Sequence, residues 1–144
     1  LGTGVLTTGH TQSCGCLRKE RQREAGKRNT IGFGKAAANS VLYGYKKAAR
    51  IRNLEWSLTD EEFFNLTQKN CFYCNELPSL ISRRSTSYNG SYTHNGIDRK
   101  DRLVGYIKDN VVPCCKRCNY AKHKMNLEEF KIHIKNIYIN LYGI

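Results

Sequence analysis

Apolar side chains recur at helical spacing at Ala38, Val41, Leu42, Tyr45, Ala48 and Ala49. Lys46, Lys47 and Arg50 take up the rest of the circumference, so the pattern predicts an amphipathic helix over residues 35–52. Residues 53–57 read as a short extended link. Thr59-Asp60-Glu61-Glu62 then predicts a capped helix start, in which the Thr59 side chain accepts from the Glu62 amide and Glu62 reaches back. Leu58 and Phe63 are placed to staple that start, and the helix should end within residues 67–70. Short strands are predicted around Ile97–Arg99 and Asn110–Val112, paired, with Gly105 near their connection. Helical signals return at Lys116. Asn126-Leu127-Glu128-Glu129 predicts a second capping box, stapled by Met125 and Phe130. The stripe Phe130, Ile134, Ile137, Leu141 on the helix that follows is expected in the core. Two stretches carry no such pattern. Residues 1–34 hold few large apolar side chains and cannot bury a core of their own. Residues 79–95, mostly Ser, Thr, Asn, Arg and Tyr with Asn89-Gly90, read as a surface loop or hairpin tip.

The 144 residues leave room for one modest domain with extensions. No apolar run is long enough to span a membrane, and no signal peptide opens the chain. The net charge is +12, and residues 1–53, with 11 Lys/Arg against 2 Asp/Glu, carry +9 of it. Such a balance implies a polyanionic partner, nucleic acid first; a solvated basic tail is the plain alternative.

The seven cysteines are an odd count, and the spacings C-G-C, C-F-Y-C and C-K-R-C suit metal knuckles in a reducing compartment better than disulfides. Zinc takes four ligands in a tetrahedron, and each Cys-x-x-Cys puts two thiolates on one tight turn. Cys71 and Cys74 with Cys115 and Cys118 would close an all-thiolate, structural site. Cys115 is preferred to its neighbour Cys114 because it alone gives the two-residue spacer. Cys14 and Cys16 read as half of another zinc site whose other pair would precede Leu1. Residues 1–34 are therefore expected to be a flexible basic arm or the truncated end of a zinc module.

A second constellation lies close to the second knuckle. Asp98 sits on a predicted strand, while Asn119 and His123, four apart, share a helix face. A carboxylate, an amide oxygen and an imidazole can hold one divalent ion with open positions for water and phosphate.

The stretch Cys71–Met125, with CFYC, then NGIDRKD, then GYIKDNVVPCCKRCNYAKHKM, resembles the HNH endonucleases of the zinc-knuckle type found in phages and mobile elements. The resemblance implies a small α+β fold: a ββα-metal (His-Me finger) core stapled by four-cysteine zinc, with flanking helices. It implies Asp98 and Asn119 as ligands of the catalytic ion, Asn110 as the residue that fixes the loop by hydrogen bonds, and Lys122 as a Lys able to approach the phosphate. One position departs. Many members carry His directly after the Asp as general base; here it is Arg99, which stays protonated and cannot serve as an ordinary base. Arg99 would instead clamp the phosphate. Proton removal then falls to His94, four residues before Asp98 and on the same face of a regular strand, or to water acidified by the ion. The second route is favoured, because a loop-borne His beside Asn95-Gly96 should be poorly held.

The sequence therefore predicts a basic arm over residues 1–34, a helical flank over 35–70, a nuclease core over 71–125 and a C-terminal helix over 126–144. The expected function is cleavage of duplex DNA with Mg2+ or Mn2+ beside structural Zn2+, in the cytoplasm of a phage's or mobile element's host. Lys46, Lys47, Arg50, Lys116, Arg117, Lys122 and Lys124 are expected to meet the DNA. No membrane or small-molecule substrate is expected. The alternative is a catalytically silent zinc-binding DNA-recognition module, with an RNA- or ribosome-associated zinc protein third.

Overall fold

The computed structural model describes residues 34–83 and 90–143. The expectations for residues 1–33, including Cys14 and Cys16, and for Asn89 lie outside the described residues. The architecture is mixed, with helices and two small antiparallel sheets, an α+β arrangement.

Helix α1 spans Lys35–Ile51. Ala37, Ala38, Leu42 and Ala49 are its buried residues, and Leu42 and Ala49 join a cluster with Leu58, Phe63, Ile97, Tyr106 and Val111. Helix α2, Asp60–Thr67, begins with the predicted capping box: the Glu62 amide donates to Thr59 Oγ1 at 3.2 Å and the Thr59 amide to Glu62 Oε2 at 3.0 Å. Phe63, fully buried, enters the core one step later, with Trp56 and Tyr45 tilted against its ring at 5.9 and 5.3 Å. The link before α2 is extended and paired. Tyr106 donates its amide to the Glu55 carbonyl at 2.7 Å, and Ser57 donates to the Tyr106 carbonyl at 3.1 Å. Gly105 is required by this approach, since a Cβ there would lie 2.4 Å from the Glu55 carbonyl oxygen.

Strands β1 (Leu80–Ser82) and β2 (Tyr92–His94) pair antiparallel. The stretch expected as a surface loop or hairpin tip thus carries paired strands near its two ends, as a hairpin does. Three-residue strands of mixed burial leave too little alternation to read from sequence. Strand β3 (Gly96–Arg99) pairs with β4 (Val111–Cys114), placing Asp98 opposite Val112 and Arg99 opposite Val111. Helix α3 (Lys116–Lys122) follows β4 at once, and α4 (Leu127–Tyr142) comes after a short turn.

Helix α4 departs from expectation. Its start is secured by the Asn126/Glu129 capping box, at 2.8 and 2.9 Å, and by the Leu127 amide on the Lys100 carbonyl at 2.9 Å. Phe130 is buried, edge-on to Tyr73 at 5.3 Å. Ile134, Ile137 and Leu141, expected in the core with it, are exposed. Periodicity marked the apolar stripe correctly, but it says nothing about whether another element covers it.

Candidate metal centre and the adjoining cleft

The first knuckle is a turn fastened at both ends. Asn75 donates its amide to the Cys71 carbonyl at 2.8 Å, and Cys71 donates to the Glu76 carbonyl at 2.8 Å. Phe72 donates to the Pro113 carbonyl at 2.9 Å, which ties the knuckle to β4. The second knuckle opens α3: Cys115 is its N-cap, and Cys115 Sγ accepts from the Cys118 amide at 3.5 Å. This brings the sulfurs of Cys71, Cys74, Cys115 and Cys118 within 4.8 Å of one another. The Cys74 and Cys115 sulfurs are 3.6 Å apart; a tetrahedron with metal–sulfur bonds of about 2.3 Å has edges of about 3.8 Å. The donor set therefore fits a metal ion such as zinc. Burial works to raise the Cys71 thiol, but the amides of Cys115, Cys74 and Tyr73 outweigh it and bring it down to about 7. Cys114 is different. It points its thiol at the Cys115 carbonyl (3.4 Å), and burial pushes that thiol well up, so it packs as a neutral side chain.

Beside the knot lies a cleft of about 420 Å³ between α1 and the β3–α3 face. Asp98, Asn119 and His123, the three candidates for a catalytic ion, all line it. His123 caps α3 with a positive φ, 47° with ψ -112°, an uncommon conformation for a residue other than Gly. Asp98 Oδ2 accepts from the Tyr73 hydroxyl at 2.7 Å and lies 3.1 Å from the Lys122 ammonium. Lys122, 1% exposed, also donates to the Arg99 carbonyl at 2.9 Å. Breaking such a buried pair by removing one partner costs about 3–5 kcal/mol. Burial and the Asp98 bond push the Tyr73 hydroxyl far above its ordinary range, so it remains a donor.

Several expectations change at this site. His94 does not share a strand face with Asp98: it ends β2, and Asn95 separates it from β3. Its ring is buried, stacked on Tyr92 at 5.0 Å, with Nε2 2.9 Å from Ser82 Oγ and Nδ1 2.8 Å from the Asn95 carbonyl oxygen. Burial lowers its pKa, against the Asn95 carbonyl, which raises it. Nor is the segment loose. Asn95 is fully buried and donates from Nδ2 to the Lys69 and Glu76 carbonyls at 3.0 and 3.2 Å, and the Tyr45 hydroxyl accepts from the Ile97 amide at 3.1 Å. Arg99 lines the cleft, but its Nη1 donates to the Arg102 and Val104 carbonyls and its guanidinium lies over the Tyr106 ring at 5.2 Å. Much of this side chain holds the loop. Lys122, expected on a DNA-facing surface, is buried against Asp98 instead.

Asn110, also buried, works as a clamp. Its Nδ2 donates to the Asp101 and Gly105 carbonyls, each at 2.9 Å, while Oδ1 accepts from the Asp101 amide at 2.9 Å. Among the other basic candidates, Lys47, Arg50, Lys116, Arg117 and Lys124 are exposed. Lys46 bridges to Asp60 at 2.6 Å and Arg117 to Glu76 at 2.6 Å.

Against known proteins, no family model matches the chain. An uncharacterized protein of Acanthamoeba polyphaga mimivirus is 36% identical over 114 residues, 78% of this chain. The chain spans 19% of that protein's length. Among solved structures, the rare-cutting HNH restriction endonuclease PacI is similar over 74% of this chain and 80% of its own, with a TM-score of 0.49 and 20% identity.

Sequence reasoning missed Tyr73, Arg52 and Arg102. Tyr73 was visible between two knuckle cysteines, but the partner of its hydroxyl lies 25 positions away. Arg52 and Arg102 line the cleft from the end of α1 and from the loop after β3, where neither motif nor periodicity marks them. No helix among the described residues is long and apolar enough to cross a membrane.

Proposed function

We propose that the chain is an HNH-type endonuclease that hydrolyses DNA phosphodiesters with a divalent ion on a zinc-stapled scaffold. The observation that carries this reading is the meeting of Asp98, Asn119 and His123 on one cleft, directly beside a four-thiolate knot. Zn2+ on Cys71, Cys74, Cys115 and Cys118 is closed and structural, pinning the first knuckle to the root of α3. Mg2+ or Mn2+ is the ion for the cleft, where Asp98, Asn119 and His123 offer two oxygens and an imidazole nitrogen.

The side chains divide the work. Tyr73 orients the Asp98 carboxylate by its 2.7 Å bond. Arg52 and Arg102 give the cleft the positive charge that draws in a phosphate, while Lys122 is held against Asp98. Asn110 holds the loop that carries Arg102. A divalent ion held by Asp98, Asn119 and His123 would supply charge to stabilise the leaving alkoxide and would acidify a bound water, in place of the base that His94, buried on another strand, does not provide. The exposed Lys47, Arg50, Lys116, Arg117 and Lys124, with the basic residues 1–34, are assigned to sequence-tolerant contact with the DNA backbone.

The test is nicking of supercoiled plasmid by zinc-loaded protein. Cleavage with Mg2+ or Mn2+, abolished by a chelator too weak to strip the thiolate site, is the expected result. Tight DNA binding without any nicking would favour the second reading, a catalytically silent recognition module, for which the absence of an imidazole base after Asp98 is the specific motive.

A further inference from the structure

The charge inside the cleft is arranged for an anion rather than for a cation. Asp98 is the only carboxylate among the described residues that line it, whereas Arg52, Arg99, Arg102 and Lys122 all do. The Asp98 charge is already matched by Lys122 at 3.1 Å, and this pair is nearly excluded from water, with side-chain exposures of 12% and 2%. A dication approaching Asp98 Oδ2 meets a fixed ammonium at contact distance, in surroundings where charge is poorly screened. A phosphodiester meets the opposite situation: with Asp98 and Lys122 cancelling each other, it adds negative charge to a cleft whose remaining charged side chains, Arg52, Arg99 and Arg102, are all cationic. Once seated, it also supplies an oxygen ligand and cancels the repulsion the ion would feel.

We infer that substrate and metal load in order: the DNA phosphate enters first, the divalent ion second, and Lys122 is the residue that keeps the ion out of the empty cleft. This rests on the nuclease reading above and adds a regulation to it, since a cleft that holds its ion only with DNA in place is not primed for hydrolysis in solution. Binding coupling is reciprocal, so the ion must tighten DNA binding by the factor with which DNA tightens the ion.

The experiment is Mn2+ titration followed by electron paramagnetic resonance. The zinc-loaded full chain is measured alone and with a short duplex carrying uncleavable phosphorothioate linkages. Asp98→Asn with the same duplex gives the background from ions on the DNA itself. The expected result is an Mn2+ affinity at least tenfold tighter in the presence of DNA, and an equal factor in DNA affinity when Mn2+ is present. Lys122→Met, which keeps the buried stem and removes the charge, should bind Mn2+ at least tenfold tighter than the parent without DNA. If that variant does not fold, the two parent titrations and their reciprocity still decide. Equal Mn2+ affinity with and without DNA overturns the order, while leaving the nuclease reading intact if cleavage is seen. Mn2+ uptake in the DNA complex that does not change in Asp98→Asn overturns both.

Discussion

The thiolate knot and the cleft are neighbours joined by Tyr73, yet they solve opposite charge problems. The knot gathers four sulfurs within 4.8 Å of one another, with the Arg117 guanidinium acting on Cys115 and Cys74 only through its charge. As thiolates they would repel one another, and a cation bound among them would relieve that repulsion. The cleft carboxylate already has its cation, the buried Lys122 ammonium. The cysteine cluster offers four soft donors with no bonded cation of their own among the described residues, whereas the Asp98 carboxylate already has an ammonium beside it. Two sets of metal-type ligands a few residues apart in sequence can thus have quite different standing in the folded chain, and only the side chains around them tell which is which.

The largest expected effect breaks the first half of that contrast. Cys118→Ser should remove most tertiary order, because structural zinc contributes an apparent 10–16 kcal/mol, at or above the whole stability of a typical domain. Elemental analysis and NMR dispersion together would check it; a zinc-free variant with native dispersion would contradict it. Tyr73→Phe sharpens the join between the two centres. It keeps the ring against Phe130 and removes only the bond to Asp98. Zinc content should not change, while Mn2+ affinity in the DNA complex should fall about 10–100-fold.

A smaller effect concerns the charge outside the cleft. Removing residues 1–34 should weaken DNA binding and flatten the slope of log affinity against log salt, since fewer counterions are released. The zinc domain should keep its melting temperature. An unchanged slope would make this segment a bystander. The smallest effect is at His94. Its folded pKa is depressed by burial, so below the unfolded value near 6.5 the unfolded chain binds the extra proton. The contribution of His94 is therefore fully present above that pH and is lost as pH falls toward the folded value. NMR should show the His94 ring more than half neutral at pH 6.5, where an unperturbed imidazole is half protonated.

Local signals were the legible ones. Thr59 with Glu62 and Asn126 with Glu129 cap their helices within four residues, and both caps form as the sequence implies. The knuckle spacers place pairs of sulfurs by local turn geometry alone. What escaped was set by distant partners. Tyr73 and Asp98 are 25 apart, and so are Thr67 and Tyr92, whose hydroxyls pair at the foot of β2. The same-face rule failed for His94 because it assumes one continuous strand, and buried Asn95 interrupts it. The apolar stripe of α4 was read correctly as a stripe and wrongly as core, since burial depends on what lies opposite.

The central claim is that Asp98 on this scaffold cuts DNA with a divalent ion. Asp98→Asn tests it most directly, because the amide keeps an oxygen for Tyr73 and Lys122 while losing the charge that a metal needs. The measurement is the single-turnover plasmid nicking rate in Mn2+, for parent and variant matched in zinc content and both well below the variant's own melting temperature, which the unpaired Lys122 ammonium should lower. The expected result is a fall of at least a hundredfold with DNA binding retained. A variant that nicks as fast as the parent would contradict it.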